Sequence, residues 1–313
     1  MIDEIIIAGP TASGKTALSV ELAKIMGGEI ISVDSRQCYK RLNIGTAKPD
    51  ASQLAQAVHH NISVLELEDH DSAAKFYARA TQYREDIKAR GKTVIYCGGS
   101  TLHLQSLIQS LDDIPPADKS NLDYLEKMEK EEGLMKLFQM LEEKDPDYAS
   151  KMDGLNRQRI LRALDIWMQT GKPFSSFHHQ NEPVLPENMA AFVLKRPRKE
   201  LYERISLRTE KMFEMGFLDE VEEILADGYS PGLQSLQTVG YREAVAYLNG
   251  DMRREQMVEK MKTSTRRYAK RQITWMRRWS FAVNLDVSET SSDENIHKIL
   301  TFQKDRNSDG KKG

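Results

Sequence analysis

Residues Gly9-Pro10-Thr11-Ala12-Ser13-Gly14-Lys15-Thr16 fit the pattern G-x-x-x-x-G-K-[S/T], and no other stretch of the chain limits its fold so tightly. The pattern needs a strand that delivers the chain into a turn and a helix that starts where the turn ends. Backbone N–H groups then face phosphate oxygens at close range, and the helix N-terminus favours negative charge. Both neighbours are legible. Ile5–Ala8 is a short β-branched run, and 15–26 places Leu18, Leu22 and Ile25 on one helical face. All eight loop residues are therefore expected to hold a diphosphate or polyphosphate, with Lys15 as a point charge and Thr16 as a Mg²⁺ ligand. The loop alone says only that a polyphosphate binds, which by default suggests a nucleotide kinase or an NTPase.

The first 110 residues continue in the rhythm that the loop requires. Strand candidates at 29–33, 62–67 and 93–97 alternate with helical patterns, the clearest at 73–90. This alternation implies an α/β fold with a mostly parallel sheet flanked by helices, of the P-loop nucleotide-kinase type. The rhythm changes at Pro115-Pro116. Residues 117–154 are helical in pattern, with 11 acids against 6 bases, and a further helix at 157–170 ends in Gly171-Lys172-Pro173. Strand patterns resume at 191–195 and 281–285. The expected organisation is a discontinuous core of residues 1–112 and 191–303, an inserted all-helical domain at 113–190, and a polar, disordered tail at 304–313.

Asp34 ends the apolar run IISVD. In open α/β sheets ligands bind beyond the carboxyl ends of the strands, so Asp34 should face the same crevice as the phosphate loop. There it has three readings: a Mg²⁺ carboxylate, a general base, or a helix cap.

Composition excludes several classes. A net charge of −2 over 313 residues gives no global sign of a nucleic-acid partner, so any basic site must be local. Two cysteines, Cys38 and Cys97, make neither a disulfide framework nor a Cys-rich zinc site. No apolar run approaches a membrane span, and the acidic start MIDEIIIAGP is no signal peptide. A cytoplasmic protein without a membrane partner is expected, acting as a monomer.

The local basic site is easy to find. Residues 253–279 carry ten Lys and Arg against two Glu, with Tyr268, Trp275 and Trp279 interleaved. This pattern suits a helix offering cations to phosphates and rings to bases, or else a solvated helix with its Trp residues in the core. A smaller cluster, Arg157, Arg159 and Arg162, lies on the helix of the insertion.

Four stretches together carry a resemblance: GPTASGKTAL at 9–18, ISVDSRQCYKRLNIGTAKP at 31–49, QTVGYRE at 237–243 and KRQITWMRR at 270–278, with QRILRAL at 158–164 as a weaker fifth. The chain, from about residue 5 to about 285, resembles the tRNA dimethylallyltransferase (isopentenylpyrophosphate transferase) family. The resemblance implies transfer of a dimethylallyl group from dimethylallyl diphosphate to N6 of the adenosine immediately 3′ of the anticodon, in tRNAs reading codons that begin with U. N6-isopentenyladenosine and pyrophosphate are the products, and Mg²⁺ is the cofactor. The phosphate loop, which usually grips ATP, would here hold the prenyl diphosphate. The resemblance makes Asp34 the general base, and Arg208, ahead of Arg204, a further cation that neutralises the leaving pyrophosphate. Asp34, Ser35, Arg36 and Gln37 would grip an adenine flipped from its stack. The tRNA anticodon stem-loop would be met by Gln158, Arg159 and Arg162, by Gln237, Thr238, Val239, Gly240, Tyr241 and Arg242, and by Lys270, Arg271, Gln272, Ile273, Thr274, Trp275, Met276 and Arg277.

One segment departs from the family pattern. Where the family has GGTGLY, this chain has Gly98-Gly99-Ser100-Thr101-Leu102-His103. Ser100 keeps the hydroxyl and is expected to serve as a catalytic hydrogen-bonding group. His103, in place of a tyrosine, is expected to pack or to line a wall. The competing readings are a prenyltransferase acting on free nucleotides, a nucleotide kinase, and an RNA-binding module without turnover.

Overall fold

A computed structural model describes residues 2–109, 114–177 and 184–309. The chain divides into two compact units, residues 1–109 with 183–313 and residues 110–182.

The first unit holds a six-stranded parallel sheet. In chain order its elements are β1 (Glu4–Ala8), α1 (Lys15–Met26), β2 (Glu29–Val33), α2 (Ala51–Gln56), β3 (His59–His60), α3 (Ala73–Ala89), β4 (Val94–Gly98) and α4 (Thr101–Ile108). The second unit contains α5 (Lys119–Glu132), α6 (Leu134–Lys144), α7 (Pro146–Ala149) and α8 (Arg157–Thr170). The first unit then resumes with β5 (Met189–Lys195), α9 (Arg198–Glu214), α10 (Phe217–Ala226), α11 (Tyr241–Leu248), α12 (Arg254–Met276), β6 (Val283–Asp286) and α13 (Ser292–Asp309). The strand order is β3-β2-β4-β1-β5-β6. Every residue of β1, β2 and β4 is buried, as near-continuous Ile/Val runs covered by helices on both faces should be.

Register places the chemistry. Gly98 pairs with Ala8 on one side and with Val33 on the other. The next residues along the three strands, Gly9, Gly99 and Asp34, therefore emerge side by side at the carboxyl edge of the sheet, β4 between the other two.

Two expectations fail. Residues 62–67 are not a strand: Asn61 and Ser63 have φ of 59° and 53°, which breaks the extended backbone, and a single bridge from Tyr39 to Leu65 is what remains. The polar tail is also not irregular from 304, because α13 continues to Asp309; residues 310–313 lie outside the described residues. That helix packs by Ile296 and Ile299 into the cluster around Ile5, Leu22 and Phe192.

The second unit has its own apolar core, with Leu125, Leu137, Leu141, Ile160 and Leu164 at its centre.

Candidate functional site

Two cavities open at the carboxyl edge of the sheet. The larger, about 520 Å³, is lined by the phosphate loop, Ser32, Lys48, Cys97, Gly98, Gly99 and the cations Arg204, Arg208 and Lys211. The smaller, about 290 Å³, is lined by Ser35, Arg36, Gln237, Thr238, Val239, Gly240, Arg242 and Arg271. Thr11, Asp34, Thr46, Arg208 and Tyr268 line both.

The loop has the strained backbone its task requires. Gly14 sits at φ 102°, a conformation costly for any side chain, and opens α1 without a side-chain cap, which leaves the first-turn N–H groups for a ligand. Ala12 also has positive φ, 64°, and its carbonyl accepts from Arg204 Nε at 2.9 Å. The Lys15 ammonium donates to the Pro10 carbonyl at 2.8 Å. Although part of this side chain faces the cavity, the ammonium is closely surrounded by protein. Burial lowers its pKa to about 8; Cys97 and Asp34 oppose the shift, and Arg208 adds to it. Burial likewise lowers Arg208, against the pull of Asp34. This cluster is short of negative charge, as a diphosphate site should be.

Asp34 follows β2 and is held by its own turn. Its Oδ1 accepts from the N–H groups of Arg36 at 2.8 Å and Gln37 at 3.2 Å. Its carboxylate thus stays at the junction of the two cavities. Gln37 donates from Nε2 to the carbonyls of Thr46 and Ala47, at 3.2 and 3.1 Å, and so fastens the facing loop. That loop is held a second time by Glu220, whose Oε2 accepts from the N–H groups of Asn43 and Ile44 at 2.9 and 2.8 Å. Lys48, from the same loop, donates to Ser63 Oγ at 2.8 Å and Asn43 Oδ1 at 2.9 Å, and burial brings its pKa down to about 8.

Several residues expected to meet RNA are placed elsewhere. Tyr241 is fully buried and its hydroxyl donates to Glu220 Oε1 at 2.6 Å, so it belongs to the core. Gln272 and Met276 are buried, and Ile273 packs against Leu201, Ile205 and Ala269. Trp275 lies partly inside the apolar core, stacked edge-on against Trp279 at 5.1 Å. Arg162 uses its guanidinium within its own unit, on buried Asp165 and the Pro115 carbonyl. Lys270, Arg271, Thr274, Arg277, Gln158 and Arg159 are exposed. Arg271 also lies 5.8 Å from the Tyr268 ring centre.

The departure at 98–103 reads clearly in the fold. Ser100 precedes α4, donates its N–H to the Val33 carbonyl at 3.2 Å, and is not among the residues lining either cavity. His103 is buried and stacks on Phe76 at 4.5 Å with an 8° interplanar angle. Burial lowers its pKa to about 4, so it is a neutral packing residue.

Sequence reasoning did not place Lys48, Lys211 and Glu220 at the site, and it read Tyr268, which lines both cavities, only as a ring interleaved in the basic helix. Lys211 had a signal: Arg204, Arg208 and Lys211 are spaced by four and three along α9, one face of a helix. The Glu220 contact, 176 residues from Ile44, has no local signal.

Thr16 and Asp34 both line the larger cavity, while no group of three or more His, Cys, Asp or Glu able to hold a metal occurs among the described residues. This donor set fits Mg²⁺, which keeps several waters and takes ligands from substrate phosphates in place of a protein cage. No helix among the described residues is long and apolar enough to cross a membrane.

The family model described as IPP transferase matches residues 37–279. The tRNA dimethylallyltransferase of Salinibacter ruber is 41% identical over 274 residues, covering 87% of this chain and 84% of that protein. That of Thermotoga petrophila is 39% identical over 301 residues, covering 94% and 97%. Among solved structures, the tRNA isopentenylpyrophosphate transferase of Bacillus halodurans superposes with a TM-score of 0.73 at 33% identity, covering 100% of this chain and 99% of that one. A eukaryotic dimethylallyltransferase acting on tRNA superposes with a TM-score of 0.80 at 27% identity, covering 98% and 80%. With a family model matched over most of its length and relatives near 40% identity over most of both chains, the chain belongs to the IPP transferase family.

Proposed function

We propose that this enzyme transfers a dimethylallyl group from dimethylallyl diphosphate to N6 of the adenosine 3′ of the anticodon in tRNA. One observation carries the reading: Asp34, Thr11 and Arg208 line both cavities, so a donor seated on the phosphate loop and a base entering by 237–242 would meet at a carboxylate. An adenine N6 amine is a weak nucleophile, because its lone pair is delocalised into the ring. As N6 attacks the first carbon of the prenyl chain, the carbon–oxygen bond to diphosphate breaks and the N6 proton passes to an Asp34 oxygen. The negative charge gathering on the departing pyrophosphate faces Lys15, Arg204, Arg208 and the loop amides. Mg²⁺, held by Thr16 and the diphosphate oxygens, would supply further charge neutralisation. Ser35 and Arg36, with Thr238 to Gly240, form the walls of the smaller cavity available to a flipped adenine, while Gln37 lines the larger one. Lys270, Arg271, Thr274, Arg277, Gln158 and Arg159 are the exposed groups for the anticodon stem-loop. The reading supposes a monomer in the cytoplasm.

The test is a transfer assay with Mg²⁺, dimethylallyl diphosphate and an unmodified anticodon stem-loop carrying the target adenosine, with AMP and ATP as parallel acceptors. Nucleosides are weighed by mass spectrometry after digestion. Prenylated adenosine in the RNA alone is expected. Prenylated AMP or ATP without prenylated RNA overturns the choice of acceptor.

A further inference from the structure

Two loops of the donor cavity meet at one buried amide. Gln272, on α12, is 2% exposed. Its Oε1 accepts from the Thr11 N–H at 2.9 Å, and its Nε2 donates to the Gly99 carbonyl at 2.8 Å. The approach is close enough to dictate the neighbour: a Cβ on Gly99 would lie 2.4 Å from Gln272 Nε2 and 2.8 Å from the Gly9 carbonyl oxygen. The amide meets both peptides at once, its oxygen accepting from one and its nitrogen donating to the other, and Asn is one methylene shorter. The Thr11 hydroxyl, in turn, accepts from Arg208 Nη2 at 2.7 Å.

Resting on the transfer reading above, we propose that Gln272 is a positioning residue: it fixes the Thr11 peptide of the phosphate loop and, through the Thr11 hydroxyl, holds Arg208 at the boundary between the two cavities. The chain of contacts runs from a helix whose outer face carries Lys270, Arg271 and Thr274 to the cation that faces the leaving group. The Thr11 N–H, being committed to Gln272, is not one of the loop amides offered to phosphate. Gln272 is also the wrong residue to touch RNA, because both polar ends of its side chain are occupied inside the protein.

Gln272→Met keeps the length of the side chain and removes both hydrogen bonds. The expected result is a fall in kcat of roughly one to two orders of magnitude, as small misplacements at a reacting centre produce. The donor KM and the Kd for Mg²⁺-pyrophosphate, measured by calorimetry, should rise together severalfold. The KM and Kd for the stem-loop should stay within about twofold of wild type. Gln272→Glu, which is isosteric, keeps the acceptor for Thr11 and loses the donor to Gly99. Its kcat should also fall, because a carboxylate oxygen replaces the donor that faces the Gly99 carbonyl, and its charge should weaken pyrophosphate binding. If the Met variant fails to fold, the Glu variant carries the test. A stem-loop Kd that rises while pyrophosphate binding is unchanged overturns the proposal, and so does a folded Met variant with wild-type kcat. A Glu variant with wild-type kcat and wild-type pyrophosphate affinity also overturns it. A wild type that binds pyrophosphate but transfers nothing refutes the transfer reading alone, and the pyrophosphate arm then still decides the positioning role.

Discussion

In the proposed mechanism Asp34 has two jobs, holding its own turn and taking the N6 proton, and a single substitution separates them. Oδ1 is engaged by the N–H groups of Arg36 and Gln37. Asn would keep that acceptor, so Asp34→Asn should leave the turn and stem-loop affinity close to wild type. It should lower transfer by roughly two to four orders of magnitude, the usual worth of a general base. Transfer near the wild-type rate, measured with saturating donor and RNA, would mean that another group takes the N6 proton. Lys15 offers a second test at this scale. Its pKa, lowered to about 8 by burial, means that the empty site loses this charge as pH rises past 8. A bound diphosphate favours the ammonium, so binding takes up a proton above that pH. Pyrophosphate Kd should therefore weaken by about tenfold between pH 7 and 9 relative to Lys15→Arg, whose guanidinium stays charged throughout. A ratio that does not change with pH would place the positive charge elsewhere. The phosphate loop and Asp34 were legible from sequence because each is local: a spacing of eight residues, and a carboxylate at the end of an apolar run.

Helix α12 shows what a motif hides. KRQITWMRR reads as one RNA-binding string, but the helix divides it. Ala269, Gln272 and Met276 turn inward at spacings of three and four, while Arg267, Lys270, Arg271, Thr274, Arg277 and Arg278 are exposed. Substituting the two sides should therefore have opposite signatures. Lys270→Ala with Arg271→Ala should weaken stem-loop binding and lower the slope of log Kd against log salt by about 1 to 2, with little change in thermal midpoint. Met276→Ala should cost about 2–5 kcal/mol of stability, as a cavity in a packed core does, and leave the salt slope unchanged. An unaltered slope in the double variant would remove this face from the RNA interface. Helical period could have made this division from sequence. It could not have shown that Gln272 reaches Thr11, 261 residues away, nor that positive φ at Asn61 and Ser63 would undo the strand expected at 62–67. Tertiary contacts decide both.

At the scale of the molecule, chain order and spatial order diverge. Gly9, Asp34 and Gly99 come from three strands separated in sequence, and the order β2-β4-β1 sets them in a row. Alternation of strand and helix announced the parallel sheet, because short apolar runs between helices have few other solutions. Nothing local told which strands would be neighbours; that came from the register that pairs Gly98 with both Ala8 and Val33. The same logic bears on the insertion. Residues 110–182 form a compact unit with its own core, and the remaining unit holds the sheet, the phosphate loop and Asp34. If the two cores are independent, replacing 110–182 by a flexible Gly/Ser linker should leave a chain that melts cooperatively and binds Mg²⁺-pyrophosphate with a Kd within about threefold of wild type. Stem-loop affinity should fall by at least about tenfold, because Gln158 and Arg159 leave with the insertion and phosphate contacts supply much of such binding. A shortened chain that loses pyrophosphate binding would show that the donor site depends on the insertion. One that binds the stem-loop as well as the full chain would assign RNA recognition to the first unit alone, with α12 and the 237–242 segment as its surface.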